Sequence, residues 1–213
     1  MADNYLDKKL EEYRNRSQAG APARRQGTLV SLLTKNRSCR GYDESFIVRD
    51  DQLRSIIEVN TLIPSARNQQ VLRFCPVNSS EAPKILPHIR LGSALPELKL
   101  PLPGTRPNAF IVICATVPET KYVSVDMGIS AQSMLLRAVE MGLAGICIGA
   151  FDKEAVKQEL ALDLEPLMII AIGRSCEDIR LVEISEGDSQ TYYRREGVHY
   201  VPKLKVDDLI MKK

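Results

Sequence analysis

The feature that most constrains the fold is one predicted helix, Ser124–Gly142, which is apolar on nearly every side. A helix on the surface of a globular protein carries a single apolar stripe, whereas a helix that is apolar all round has to be covered on most sides. The segment therefore predicts either a central core helix or a helix at a subunit interface. Its apolar residues are Ile129, Met134, Leu135, Leu136, Ala138, Val139 and Met141.

Shorter apolar runs on both sides of this helix indicate a sheet. Helices are predicted at residues 28–35, from Asp50 or Asp51 toward Pro64, near 81–87, and at 153–160 after Asp152. Strands and helices alternate only partly, which is typical of an α+β domain with a central sheet. Short β-branched runs predict strands at 71–77, 109–115, 145–150, 167–172 and 179–184.

The chain divides into an N-terminal extension, residues 1–27, and a single domain, residues 28–213. Residues 3–17 of the extension predict a short helix with a narrow apolar stripe, and residues 18–27 a flexible connection. The extension holds six basic and four acidic residues, whereas the domain holds 23 of each sign. Nucleic-acid-binding domains usually carry a basic excess, so we do not expect a nucleic-acid partner.

The sequence predicts neither a transmembrane helix nor a signal peptide. No apolar run reaches the ~18 residues of a transmembrane helix. The N-terminus is charged from its start and lacks the apolar stretch of a signal peptide. We therefore expect no membrane association and a cytoplasmic location.

The five cysteines have no C-x-x-C spacing, and only two histidines could serve as their partners. Reduced, mostly buried thiols are the simplest interpretation. Neither a structural metal site nor a catalytic cysteine is expected, since both would need clustered ligands or a histidine partner.

Two polar segments carry side chains suited to ligand binding. The segment Asn36–Arg40 places two guanidinium groups and a hydroxyl directly after a helix, and the planar guanidinium fork matches phosphate oxygens. The segment Pro64–Gln70 holds amides that could bind the edge of a heteroaromatic ring. Taken alone, each segment is more simply explained as a solvated polar loop.

Two further segments have the same double interpretation. Residues 142–151 place small residues beside a strand, where backbone N–H groups could approach a planar ligand. Their glycine spacing is not G-x-G-x-x-G, so a dinucleotide-binding fingerprint is excluded, and a helix–strand connection with a glycine cap is the alternative. In the C-terminal tail, Lys203 follows an extended stretch and could reach a phosphate, or the tail could simply be solvated.

The ordered set of these segments resembles the nitroreductase family. The motifs read N-R-S-C-R, P-S-A-R-N-Q-Q and G-L-A-G-I-C-I-G-A-F, and the most specific stretch is VDMGISAQSMLLRAVEMGLAGICIGAF. The resemblance implies a nitroreductase-like α+β fold, with a central, mostly antiparallel sheet flanked by helices, in an intertwined homodimer that binds FMN at the subunit interface. Asn36, Val71–Leu72 and Cys147 depart from the family pattern, at positions that bear on substrate choice.

The resemblance also implies which residues bind the cofactor. Arg37, Ser38 and Arg40 would hold the FMN phosphate, the ribityl chain and the pyrimidine side of the ring, with Lys203 as a second phosphate contact. The backbone at Gly149 and Ala150 would approach flavin N5. Four further residues would face the flavin, some of them from the partner subunit: Pro64, Ser65, Asn68 and Gln132.

The implied activity is hydride transfer from NADH or NADPH through FMN to a nitroaromatic, quinone or similar acceptor in a ping-pong cycle. No catalytic side chain is expected, because the flavin carries the chemistry. A storage or sensing module that binds FMN without efficient turnover is the alternative. A third interpretation is a flavin enzyme with unusual chemistry, such as reductive dehalogenation or flavin destruction. Nothing in the sequence separates NADH from NADPH.

Overall fold

The computed structural model describes residues 28–92 and 100–211. The predicted helix at residues 3–17 and the connection at 18–27 lie outside the described residues. The described residues form six α-helices and two β-sheets. The helices are α1 (Leu29–Lys35), α2 (Asp50–Glu58), α3 (Ala82–Ile85), α4 (Lys121–Glu140), α5 (Lys153–Glu159) and α6 (Val206–Leu209), with 3-10 turns at Val59–Thr61, Ala66–Asn68 and Leu86–His88.

A four-stranded antiparallel sheet forms the centre of the domain. Its strands are β1 (Leu72–Val77), β2 (Ala109–Ala115), β3 (Ala144–Ile148) and β4 (Pro166–Gly173), in the order β1-β2-β4-β3. Every neighbouring pair is antiparallel. The predicted α+β class with an antiparallel central sheet is therefore confirmed, and the four strand positions agree with the sequence analysis to within a few residues.

Strand β2 shows why its sequence is apolar without interruption. Successive side chains of a strand point to opposite faces of the sheet. Phe110 and Val112 belong to the core on one face, whereas Ile111 and Ile113 belong to the core on the other. Because both faces are covered, all seven residues of β2 are buried.

Helix α4 covers the second of these faces through Met134 and Ala138. It begins at Lys121, three residues before the predicted start, because the Thr120 side chain accepts a hydrogen bond from the backbone N–H of Val123. It ends at Glu140, and Gly142 follows with φ +79°, the left-handed conformation that glycine adopts readily after a helix.

The C-terminal segment forms a second sheet rather than a solvated tail. Its strands are β5 (Asp178–Ile184), β6 (Tyr193–Arg195) and β7 (Val198–Leu204), in the order β5-β7-β6. β5 and β7 are parallel, whereas β6 and β7 form a hairpin through Glu196 and Gly197, both with positive φ. Two turn residues with positive φ match the right-handed twist of a hairpin. Only β5 was predicted as a strand, because β6 is polar and three residues long and β7 is interrupted by a proline, which is unusual inside a strand.

None of the helices in the described part of the chain is long and apolar enough to cross a bilayer.

Candidate functional site

A cleft of about 380 Å³ opens where the segment after α1 meets β3 and β7. Five of the predicted cofactor-binding residues lie together in its lining: Arg37, Ser38, Arg40, Gln132 and Lys203. They come from three distant parts of the sequence, so the fold has brought them together. The structure therefore places half of the predicted site residues around one cavity.

Strand β3 supports one wall of the cleft, which is the arginine segment (Asn36–Arg40) that follows α1. Ser38 forms a parallel bridge with Gly145, and the backbone N–H of Cys39 donates to the Gly145 carbonyl at 3.1 Å. A Cβ at Gly145 would lie 2.6 Å from the Ala171 backbone oxygen and 2.7 Å from Leu135 Cδ2, which is too close for any side chain. Glycine at this position allows α4, β4 and the arginine segment to pack against β3.

Strand β7 forms the facing wall through its alternating side chains. His199, Val201 and Lys203 are spaced two residues apart and all three line the cleft. Tyr192, which precedes the β6–β7 hairpin, lines it beside them. The prediction of Lys203 as a ligand contact is therefore consistent with its position, although the sequence analysis did not identify the neighbouring residues on the same face.

The cleft is cationic. Arg37, Arg40 and Lys203 line it, and the lining residues identified in the described part of the chain include no carboxylate. Burial lowers the pKa of Arg37, although the guanidinium stays protonated at neutral pH. Because these cations have no acidic partner among the residues that line the cleft, an anionic ligand such as a phosphate would be favoured there.

Both arginines keep donors free for a ligand. Arg37 Nη2 donates to the Leu33 carbonyl at 2.6 Å, and Arg40 Nη1 donates to the Ser38 carbonyl at 3.1 Å. The Nε atom of each arginine is buried and has no hydrogen-bond partner among the described residues. Buried donors of this kind are nearly always satisfied in proteins, which suggests that a ligand completes the site.

Glu177 anchors the arginine segment from behind the cleft. Its carboxylate accepts a hydrogen bond from the backbone N–H of Arg40 at 2.6 Å and pairs with Arg194. Next to it, the buried Cys39 thiol is hydrogen-bonded to Ser175 at 3.2 Å, and burial raises its pKa to about 12. Cys39 is therefore an unreactive thiol of the core.

The amide of Gln132, on α4, accepts a hydrogen bond from the Asn36 side chain at 3.4 Å, so it links α4 to the segment after α1. Asn36 therefore positions the Gln132 side chain at the cleft.

The loop that contains Pro64, Ser65 and Asn68 lies elsewhere in the single chain. Pro64 and Ser65 line a separate cleft of about 530 Å³ between α2, β1 and α4. Asn68 has φ +52°, and its neighbours Arg67 and Gln70 also have positive φ. Three such non-glycine residues in one loop require the surrounding structure to hold them in place.

Asp126 of α4 supplies that support. Its two carboxylate oxygens accept hydrogen bonds from the backbone N–H of Ala66 at 2.8 Å and from Gln69 Nε2 at 2.7 Å. Asp126 is 3% exposed, so these bonds are shielded from water. The sequence analysis did not identify this contact, because 57 and 60 residues separate the partners.

Gly149 and Ala150 line a third cleft of about 450 Å³, together with His88 and Arg90. The Ala150 carbonyl accepts a hydrogen bond from the Arg90 backbone N–H at 2.9 Å. A Cβ at Gly149 would meet no atom within 4 Å, so the backbone there is open to a ligand from outside the chain. Within one chain, then, the ten predicted residues fall into three regions.

Other chemistry is sparse among the residues that the structure describes. They contain no group of three or more His, Cys, Asp or Glu side chains arranged to hold a metal ion. All five cysteines are free thiols, and Cys147 and Cys176 are exposed rather than buried. Cys147 lines the cationic cleft because it occupies an exposed position on β3.

Comparison with known proteins gives one consistent answer. The model of the nitroreductase family matches residues 102–174, which include β2, α4, β3 and β4. A Bacillus subtilis (strain 168) relative named "Putative NAD(P)H nitroreductase YdgI" is 22% identical over 187 residues, covering 70% of this chain and 89% of the relative. The resemblance to the nitroreductase family is confirmed.

Solved structures extend the likeness to most of the chain. A nitroreductase family protein from Streptococcus pneumoniae TIGR4 aligns with a TM-score of 0.63 and 18% identity, covering 87% of this chain and 100% of that one. A protein from Exiguobacterium sibiricum 255-15 solved in complex with FMN aligns with a TM-score of 0.62 and 17% identity, covering 88% and 98%. At these identities the likeness shows the nitroreductase fold alone.

Proposed function

We propose that this protein is an FMN-dependent oxidoreductase that transfers hydride from NADH or NADPH to a nitroaromatic, quinone or similar acceptor. The observation that carries the proposal is the cationic cleft, in which buried guanidinium nitrogens of Arg37 and Arg40 lack partners. The cleft lies in a nitroreductase fold, and one structural neighbour was solved in complex with FMN.

The cleft residues fit the chemistry of a flavin nucleotide. Arg37, Ser38 and Lys203 offer the cationic and hydroxyl donors that a phosphate requires. Arg40 would stabilise negative charge on the pyrimidine side of the ring. FMN, when bound, supplies the hydride chemistry, so the side chains need only bind and orient it and exclude water.

We further propose that the active form is a homodimer. In one chain, Pro64, Ser65 and Asn68 lie apart from the cationic cleft, so they could face its ligand only from a second copy. Such a dimer would bring Pro64, Ser65 and Asn68 of one copy to the cationic cleft of the other.

An apolar face of α4 supports this assembly. Tyr122 and Val125 are exposed, and with Ile129 and Gln132 they fall on one face by helical spacing. Gln132 lines the cleft, so the exposed face leads directly to it. Helix α1 lies next to α4, and its residues Leu29 and Val30 are 62% and 73% exposed to solvent. Covering these side chains in a dimer removes apolar surface from water.

The oligomeric state is tested by sedimentation of the FMN-loaded protein. A dimer is expected, and Val125→Lys should favour the monomer because it places a charge on the apolar face. A wild-type protein that is monomeric while it holds FMN would contradict the assembly.

Turnover is tested on the full chain after incubation with FMN and removal of free flavin. We expect a bound flavin and steady oxidation of NADH or NADPH when menadione or nitrofurazone is added. Flavin binding without turnover would favour the storage or sensing alternative. A chain that binds no FMN would reject both.

A further inference from the structure

His199 is a buried histidine that faces the cationic cleft. His199 is only 1% exposed, yet it is among the residues that line the cavity. Neither Nδ1 nor Nε2 has a hydrogen-bond partner among the described residues. A buried imidazole with both nitrogens unsatisfied is rare in a folded protein, which indicates that a partner from outside the chain completes it.

Two neighbours fix the orientation of this ring. Tyr192 packs against it in an edge-to-face arrangement, with ring centroids 5.2 Å apart. The guanidinium of Arg40 lies over Tyr192, 4.8 Å from the centroid of its ring. Arg40, Tyr192 and His199 therefore form one continuous packed wall, and the imidazole is held in place before any ligand arrives.

The surroundings of His199 keep it neutral. Burial lowers its pKa, and the positive charges of Arg194 and Arg40 lower it further, against the opposing effect of Glu177. A neutral imidazole has one N–H donor and one acceptor nitrogen. A phosphate dianion offers acceptors only, so it would leave one nitrogen unpaired. A sugar hydroxyl, or the imide edge of a flavin with its N–H and C=O groups, offers both a donor and acceptors.

The position of Lys203 on the same strand gives the cleft two ends. His199 and Lys203 are four residues apart on β7, which corresponds to about 13 Å along a strand. At that separation the two side chains are suited to different parts of one extended ligand. The ammonium of Lys203 suits the phosphate, whereas the neutral imidazole suits an uncharged part of the same ligand.

Resting on the proposed binding of FMN, we propose that His199 is a flavin-binding residue that hydrogen-bonds the uncharged part of the cofactor, either its ribityl hydroxyls or the imide edge of its ring. Tyr192 acts through it as a positioning residue. The imidazole would hold the flavin nucleotide at the end of the cleft opposite Lys203.

The test compares dissociation constants for FMN and riboflavin, measured by quenching of flavin fluorescence on the full chain. His199→Phe keeps an aromatic ring against Tyr192 and removes both nitrogens. It should weaken FMN and riboflavin binding equally, by roughly tenfold, the effect of losing one or two hydrogen bonds. Lys203→Met is the matched variant at the other end, and it should weaken FMN while leaving riboflavin unchanged.

His199→Asn retains a donor and an acceptor, so it should recover part of the affinity that His199→Phe loses. It also provides the comparison if the phenylalanine variant fails to fold, which circular dichroism would reveal. Lumiflavin, which lacks the ribityl chain, separates the two contacts. If its affinity falls in His199→Phe, the contact is to the ring, and if it is unchanged, the contact is to the ribityl chain.

Unchanged affinity for both FMN and riboflavin in His199→Phe would overturn the assignment. So would a loss confined to FMN, because it would place His199 at the phosphate. If wild-type protein binds neither flavin, the proposed function itself is wrong, which is a different result from flavin binding that ignores His199.

Discussion

His199 and Tyr192 pack edge to face beside the cationic cleft, with their ring centroids 5.2 Å apart. The contact joins strand β7 to the residue that precedes the β6–β7 hairpin, so the second sheet forms one wall of the cavity. The arginine segment after α1 forms the other wall. The site therefore depends on the C-terminal sheet as much as on the central one.

The arginines of the cleft should determine cofactor affinity. Arg37→Ala and Arg40→Ala should each weaken FMN binding by about ten- to a hundredfold, because a charge-assisted hydrogen bond contributes ~1.5–3 kcal/mol. Fluorescence titration measures this. Arg180→Ala is the control, since Arg180 is exposed on β5 and pairs with Asp178. Equal FMN affinity in the wild type and both cleft variants would refute the assigned roles.

Removing the nitrogens of His199 should stabilise the cofactor-free protein while weakening flavin binding. At neutral pH, His199→Phe should raise the free energy of unfolding by about 1 kcal/mol, because two unsatisfied buried polar atoms are lost. Urea denaturation measures the change. A destabilised variant would show that the imidazole has a structural partner instead.

The stability of the cofactor-free protein should also depend on pH through His199. Its pKa in the folded state lies below the ordinary 6.5, so the unfolded chain takes up a proton more readily. The contribution of neutral His199 to the free energy of unfolding is therefore fully present above about pH 6.5. It is lost as the pH decreases from 6.5 toward the lowered pKa. The difference in unfolding free energy between His199→Phe and wild type should widen across that window. A difference independent of pH would contradict the lowered pKa.

Asp126 should contribute strongly to stability through the loop it supports. Asp126→Ala removes the acceptor for Ala66 N–H and Gln69 Nε2, so it should lower the free energy of unfolding by about 2–3 kcal/mol. Asp163→Ala, at an exposed position, serves as the control and should change stability little. If the two variants unfold at the same urea concentration, the loop does not depend on Asp126.

Gly145 should tolerate no side chain, in contrast with Gly149. Gly145→Ala should cost roughly 1–3 kcal/mol of stability, because the new Cβ would overlap Ala171 O and Leu135 Cδ2. Gly149→Ala meets open space and should leave the unfolding free energy of the cofactor-free protein nearly unchanged. Similar losses in both variants would show that the two backbones are equally crowded.

The central fold could be predicted because its signals are local. Length and composition alone identify the uninterrupted apolar run of β2 and the long apolar helix α4. Their predicted positions are close to the observed ones. β6 was missed because it is short and polar, and β7 because a proline interrupts it. Both are held by pairing in the second sheet, β7 with β5 and β6 with β7. Their stability comes from contacts that no sequence window contains.

The candidate site was predictable only in part for the same reason. Arg37, Ser38 and Arg40 form a dense local cluster, and Lys203 could be chosen from the tail. His199 could have been found from its two-residue spacing to Val201 and Lys203, had the tail been interpreted as a strand. The support that Asp126 gives the loop at 65–70 could not be predicted, because it is a contact between distant segments.

The most direct test of the account is a crystal structure of the full chain grown with FMN. It should show a flavin nucleotide in the cleft lined by Arg37, Arg40 and Lys203, with His199 in hydrogen-bond contact with its ribityl chain or ring. Flavin density in another cavity, or an empty cleft in protein saturated with FMN, would contradict it.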